Sequence, residues 1–367
     1  MIISASRSAR GGKEDEVDKN RRKFLKTAGV ATAGAAAATV SAPYVARAQS
    51  PIKWRLQTYA GPALAEHVIK PSIDAFNKAA NGEMTIELYT ADQLVPTSEL
   101  FRALQAGTVD AIQHDDDSVG APVDVALFSA YFPLGTRYSL DVPVLWNNYG
   151  LKDIWEEAYK GVENVTWLST GSWDPCNFAT TKPIRSIADL KGLRVFSPPT
   201  AGQFLTRFGV VPVTLPWEDV QVSIQTGELD GIAWCGMTEC YTVGWADVTK
   251  YYLTNNISGA WAGSYFVNTE KWNQVPEHLQ TLYRMSIDQS HYYRQYWYWW
   301  GEAHYRVTGG KLELTTIPEA EWKTIEDEAN KFWDEIAAKN ERSAKVIKIL
   351  REYTETMRKA GPPYRYG

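Results

Sequence analysis

Ile52-Lys53-Trp54-Arg55-Leu56-Gln57-Thr58 alternates in side-chain character and breaks at Ala60-Gly61-Pro62, which reads as a half-buried strand ended by a turn. From Leu64 to Ala80 the apolar residues Leu64, Val68, Ile69, Ile73, Phe76 and Ala79 recur at helical spacing. Asn81-Gly82 then supplies a C-cap and a turn. Met84 to Tyr89 reads as a second strand, Ser98 to Ala106 as a helix closed by Gly107, and Val109 to Gln113 as a third, buried strand. Strand, helix, strand, helix, strand predicts a parallel sheet with crossover helices.

The same rhythm returns further on. Ser186 to Leu190 reads as a short helix, Arg194 to Phe196 as a strand, Thr200 to Phe208 as a helix, Val211 to Leu215 as a strand, Trp217 to Thr226 as a helix and Gly231 to Trp234 as a strand. Two such units in a chain of 367 residues predict two α/β lobes, because a single core does not grow to that size. Ligands of open α/β sheets sit at the carboxyl ends of strands, which places the binding cleft between the lobes. Pro276 to about Tyr305 reads as one long interlobe helix rich in Tyr and Trp, and Glu319 to Arg358 as largely helical. The run Trp297-Tyr298-Trp299-Trp300 covers every face of a helix and is expected to pack against neighbouring elements. The predicted division is 49–172 for the first part of lobe one, 173–264 for lobe two, and 265–367 for a return to lobe one with the bridging and C-terminal helices.

Residues 1–48 read as an export signal. Arg21-Arg22-Lys23-Phe24-Leu25-Lys26 has the twin-arginine pattern, Ala28 to Val40 is weakly apolar, and Ala46-Arg47-Ala48 is a small-x-small cleavage site. The apolar run is too short and too rich in Ala and Gly to span a bilayer. The expected location of the mature chain is therefore the periplasm, without stable membrane insertion. Nine of the 38 Lys and Arg, but four of the 43 Asp and Glu, lie in that leader. The acidic body that remains has no basic stripe and argues against nucleic acid as a partner. Cys235 and Cys240 stand close enough in sequence to bridge in an oxidising compartment, although free buried thiols are the expected state for an odd count of 3 Cys.

No H-E-x-x-H, G-x-S-x-G or P-loop pattern occurs. With no nucleophile or acid/base set apparent, the chain reads as a binding protein and not an enzyme.

By Gly192 the pattern is specific enough to resemble a known family, the solute receptors of tripartite ATP-independent periplasmic (TRAP) transporters. The resemblance rests on Gln93-Leu94, on Leu104-Gln-Ala-Gly-Thr-Val-Asp-Ala111, and on Thr181-Lys-Pro-Ile184 with Asp189-Leu-Lys-Gly-Leu-Arg-Val195. It continues through Gly209-Val-Val-Pro-Val-Thr-Leu-Pro-Trp217, Gln225-Thr-Gly-Glu-Leu-Asp-Gly231 and Phe266-Val-Asn-Thr-Glu-Lys-Trp272. Val95-Pro96 and Phe132-Pro-Leu-Gly-Thr-Arg137 lean toward the branch that takes keto acids and chloroaromatic acids. The resemblance implies a periplasmic-binding-protein-like fold with a hinge. It also implies capture of an aromatic or keto acid and delivery to a membrane permease driven by an ion gradient. One departure matters. The position that usually carries the carboxylate-clamping arginine is Phe196, and a phenyl ring cannot replace a bidentate guanidinium. Arg194 is the nearest substitute in sequence. The loss of the arginine motivates an alternative solute, zwitterionic or cationic.

Candidate contacts follow from strand ends. Asp115-Asp116-Asp117 follows the third strand, where carboxylates can hold a bridging Ca2+ or Na+, meet a cationic ligand, or form a solvated turn. Trp173-Asp174, with Asn177 beside it, stands at the first crossover between lobes, where related receptors take a polar or ion contact. Trp234 and Glu239 lie just beyond the last core strand of the second lobe, so that Asp174 and Glu239 are the expected metal ligands. Tyr59, Phe196, Trp217 and Trp261 complete an expected cleft of flat rings, suited to an aromatic acid or to a cation over ring faces.

Overall fold

The computed structural model describes residues 50–361; the leader expected over 1–48 lies outside them. The chain forms two sheets. The first has the order β2-β1-β3-β10-β4, built from β1 (Ile52–Thr58), β2 (Met84–Tyr89), β3 (Ala111–His114), β4 (Val165–Ser172) and β10 (Ala262–Asn268). β1 runs parallel to β2 and β3, as the opening rhythm predicts. β10 enters between β3 and β4 antiparallel to both, and every one of its residues is buried.

The crossovers in this lobe are α1 (Pro62–Val68), α2 (Lys70–Ala79) and α3 (Leu100–Gln105). Asn81 and Gly82 both adopt positive φ, the turn that the dipeptide announces. α4 (Asp141–Asn148) and α5 (Leu151–Tyr159) precede β4.

The second sheet has the order β11-β9-β5-β8-β6-β7. Its strands are β5 (Phe178–Thr180), β6 (Arg194–Phe196), β7 (Val211–Val213), β8 (Gly231–Ala233), β9 (Tyr251–Leu253) and β11 (Glu313–Thr315). Its helices are α6 (Pro199–Leu205), α7 (Val220–Gln225) and α8 (Met237–Thr242). The chain crosses between sheets from β4 to β5 and again from β9 to β10. These two crossings hold each other through Trp173 N–H to Trp261 O (3.1 Å), Cys176 N–H to Ser258 O (2.8 Å) and Ile257 N–H to Cys176 O (2.8 Å). A pair of extended segments tied in this way is the natural hinge of two lobes.

After α9 (Thr269–Trp272) comes α10, a single helix from Glu277 to Thr308. It packs on α2 and β4 of the first lobe and on α8 of the second, so it braces both. The C-terminal region differs from the expected return to lobe one over 265–367, because β11 pairs with β9 and extends the second sheet. The pairing keeps the backbone of the second sheet's outer edge satisfied after the long helix has carried the chain across. α11 (Glu319–Ala337) and α12 (Glu341–Ala360) then pack on each other, and α12 returns to α4 and α5. The Trp297–Trp300 run also departs from its expected packing. Tyr298 is buried and Trp297 stacks on His67, but Trp299 and Trp300 are exposed at 65% and 56%.

Candidate functional site

Strand tips of both sheets converge on one buried aromatic cluster. Tyr59 follows β1, Trp173 follows β4, Trp234 follows β8, and Phe196 ends β6. Tyr59 meets Trp261 at 5.3 Å, Trp217 at 5.5 Å and Trp173 at 5.8 Å between ring centroids, each edge to face. Trp173 stacks on Trp261 at 4.7 Å, and Phe196 stacks on Trp234 at 5.1 Å. Gly263 makes the first stack possible, since a Cβ there would run into the Trp173 indole nitrogen. Trp217 enters from the second lobe, half-buried, against Tyr59, Trp234 and Trp245. A cavity of about 300 Å³ opens beside this cluster, lined at its inner end by Tyr59, His114, Phe196, Trp217 and Trp234.

A buried acidic pair lies within the rings. Asp174 Oδ1 accepts from Tyr131 Oη (2.8 Å) and Trp261 Nε1 (2.9 Å), and Oδ2 accepts from the Gly236 N–H (2.9 Å). Glu239 Oε2 accepts from the Tyr298 hydroxyl at 3.2 Å. Burial pushes the Asp174 carboxyl up to about 6, against the pull of those donors. Burial first, and then the charge of Asp174, hold Glu239 well above the usual carboxylate range. Two carboxyls this close and this dry share a proton rather than both ionise. Four buried polar atoms around the pair have no partner among the described residues: Glu239 Oε1, Tyr59 Oη, Trp173 Nε1 and Trp234 Nε1. Unmet buried polar atoms are costly, and two of these residues, Tyr59 and Trp234, also line the cavity, while Glu239 and Trp173 lie behind them.

Several expected contacts sit elsewhere. Asp116 points into the lobe-one core, where Oδ2 accepts from Trp155 Nε1 (2.9 Å) and Tyr159 Oη (2.7 Å). Burial pushes it up to about 7. Asp115 turns back to His114 Nδ1 (3.0 Å) and the Ser118 N–H (2.6 Å). Asn177 Nδ2 donates to the carbonyls of Leu253, Thr254 and Asn255 and pins the chain after β9. Arg194 cannot replace the missing clamp, because Asp230 and the Gly227 carbonyl engage it away from the cleft.

The structure adds partners that the strand-end argument passes over. Tyr131 holds Asp174 from a loop and adopts positive φ (51°), uncommon for a residue with a bulky side chain. Tyr298 reaches Glu239 from the bridging helix. The buried Arg294 guanidinium lies 4.0 Å from the Trp173 ring centroid and bonds to Ser290, His291 and the Val68 carbonyl.

A divalent metal fits this donor set poorly. Calcium takes six to eight oxygens, whereas both oxygens of Asp174 already face N–H or O–H donors. Among the described residues no group of three or more His, Cys, Asp or Glu side chains is arranged to hold a metal. What the site offers is one open carboxylate oxygen, ring faces, and hydroxyl and indole donors. That combination suits an organic cation carrying a hydrogen-bond acceptor.

Residues 65–340 match DctP, the bacterial extracellular solute-binding protein family 7. A TRAP periplasmic solute-binding protein of Chromohalobacter salexigens, solved with bound (S)-(+)-2-amino-1-propanol, is 66% identical. That match covers 86% of this chain and 99% of the other, with a TM-score of 0.84. A second such protein, from Pseudoalteromonas atlantica with bound sodium and pyruvate, shares the fold at 18% identity (TM-score 0.75, 84% of this chain and 96% of the other). A monocarboxylate 2-oxoacid-binding periplasmic protein of Nostoc is 24% identical over 87% of this chain and 90% of its own length. The chain thus belongs to family 7 of the bacterial extracellular solute-binding proteins, the periplasmic receptors of TRAP transporters, which bind solutes and do not transform them.

Proposed function

We propose that this receptor captures a small hydroxylated amine, of the size and charge of 2-amino-1-propanol, in the periplasm. The observation that carries the reading is the Asp174–Glu239 pair, closed inside aromatic rings with Glu239 Oε1 left open. An ammonium group placed there would take over the place of the shared proton, leave the net charge of the pair unchanged, and face ring surfaces. The Trp173 and Trp234 indole N–H groups and the Tyr59 hydroxyl would serve the solute's oxygen. The 66% identical protein with bound amino alcohol supports the same class.

The second reading is an aromatic or keto acid, favoured by the 2-oxoacid-binding relative. It requires a cation for the carboxylate. Phe196 occupies the clamp position, Arg194 is held by Asp230, and Arg294 is committed to His291 and Ser290. In either reading the lobes close on the hinge and the closed form is handed to the ion-gradient-driven TRAP permease, after export through the twin-arginine signal of residues 1–48. Calorimetry on the purified mature chain tests the choice. Binding of 2-amino-1-propanol without binding of pyruvate or picolinate is expected, and the reverse pattern would reject the amine reading.

A further inference from the structure

Cys235 and Cys240 form a disulfide, so the expected free thiols are replaced by a bridge, and only Cys176 remains free. The bridge spans the start of α8. Gly236 is the N-cap of that helix, which puts Cys235 one residue before the cap and Cys240 at the fourth helical position. Those are the two positions that a hydrophobic staple joins by contact, where it fixes the angle at which a chain enters a helix. Here the staple is covalent.

Glu239 stands at the third helical position. A glutamate at that position commonly reaches back to the cap's own N–H and closes a capping box. In this helix that donor is already taken, because the Gly236 N–H goes to Asp174 Oδ2 at 2.9 Å. Glu302 takes the next orphan, the Thr238 N–H, at 3.1 Å. No Cβ fits at Gly236, since it would meet Glu302 Oε1 and the Pro175 ring. Two carboxylates from outside the helix therefore cap it. Glu239 is released from local duty, and its buried Oε1 is left without a partner behind the ring cluster. A helix of 6 residues is too short to hold itself, and it must keep one carboxylate against another without letting them move apart.

We propose that the Cys235–Cys240 bridge is a positioning element of the solute site, locking the turn that aims Glu239 and the Gly236 N–H at Asp174. This rests on the amine reading of the pocket. Trp234, immediately before the bridge, is held by its own stack on Phe196 and its contacts with Tyr59 and Tyr131, so the bridge acts on the site through Glu239 rather than through this ring. Freed of the bridge, the helix start can turn Glu239 back toward its ordinary capping partner, or outward to water. Either movement dissolves the acidic pair.

The test compares wild type, C235A/C240A and C235S/C240S, each with and without E239Q, using 2-amino-1-propanol as the probe. Removing the bridge is expected to weaken probe binding at least tenfold in the wild-type background and less than twofold once Glu239 is Gln. The loss of thermal stability should be the same in both backgrounds. Equal losses of affinity with and without Glu239, or unchanged affinity in bridge-free proteins that fold, would overturn the proposal. Hydrogen exchange supplies a readout that needs no solute. The Gly236 amide should exchange at least tenfold faster without the bridge, and unchanged protection would overturn the proposal even for a receptor of another solute. Failure of wild type to bind the probe counts instead against the amine reading, and the exchange result then decides the role of the bridge.

Discussion

Asp117, just beyond β3 in the first lobe, accepts the backbone N–H of Thr200 in the second lobe at 2.9 Å. Thr200 lies in the first turn of α6, so a side chain of one lobe caps a helix of the other. Burial pushes the Asp117 carboxyl up to about 6, and opening the lobes would return it toward its ordinary value. The shift is upward, so closure penalises the charged form, and the contact holds the lobes together more firmly near pH 5 than near pH 7. Cap removal costs about 1 kcal/mol, which is roughly a fivefold change in an equilibrium. Asp117→Ala is expected to weaken probe affinity by about that factor, while Asp117→Asn, which keeps an acceptor oxygen without the charge, should retain affinity. Small-angle scattering of the ligand-free variants should show Asp117→Ala more open.

Proton linkage at the acidic pair gives a second prediction. Without solute the Asp174 carboxyl holds its proton up to about 6 and Glu239 holds one higher. An entering ammonium displaces it, so binding at pH 6 to 7 should release about one proton. Affinity should therefore tighten as pH rises through that range. The ligand-free fold should behave oppositely. Its raised carboxyls bind protons that the unfolded chain has already lost, so stability declines as pH rises from about 4 to 6 and beyond. Calorimetry in two buffers of different ionisation enthalpy measures the proton count directly. Heats that do not depend on the buffer would count against a shared proton.

The Asp115–Asp117 run shows how far sequence reading carries. Strand periodicity locates the end of β3, whose last residue, His114, lines the cavity. Beyond the strand the chain turns, alternation no longer applies, and three consecutive aspartates go three ways: to His114, into the core, and across to Thr200. The rings at strand tips (Tyr59, Trp173, Phe196, Trp234) were legible because each follows a strand whose pattern is plain. Tyr131 and Tyr298 were not, since one comes from a loop and the other from the far end of a helix, and no local spacing ties either to Asp174 or Glu239. β11 was equally hidden. A strand of 3 residues has too few positions for alternation to register.

Asp116 is expected to matter for the fold alone. Its Oδ2 serves both Trp155 and Tyr159, so Asp116→Ala strands two buried donors. Leaving buried partners unmet costs about 1–3 kcal/mol each. The melting temperature of Asp116→Ala should fall by several degrees, while the protein that remains folded binds the probe with unchanged affinity. Asp116→Asn should fall less, because it removes a carboxyl whose burial is itself unfavourable. A selective loss of affinity without loss of stability would return Asp116 to the list of solute contacts.

Phe196 tests the specificity argument from the other side. It is buried, stacked on Trp234, and lines the cavity. Phe196→Arg would bring a guanidinium beside the ring cluster that encloses Asp174 and Glu239. The new cation should pair with those carboxylates and exclude the ammonium, weakening 2-amino-1-propanol at least tenfold, since pairing a buried charge outweighs the loss of one ring contact. The same change supplies a partner for a carboxylate, so weak binding of pyruvate should emerge where none is expected of wild type. Phe196→Leu separates charge from shape: it removes the ring without adding a cation and should weaken the amine only a few-fold, by the worth of one aromatic contact. An arginine variant that keeps full affinity for the amine would mean that the solute does not sit between Phe196 and the acidic pair, and the pocket would then have to be placed elsewhere along the cleft.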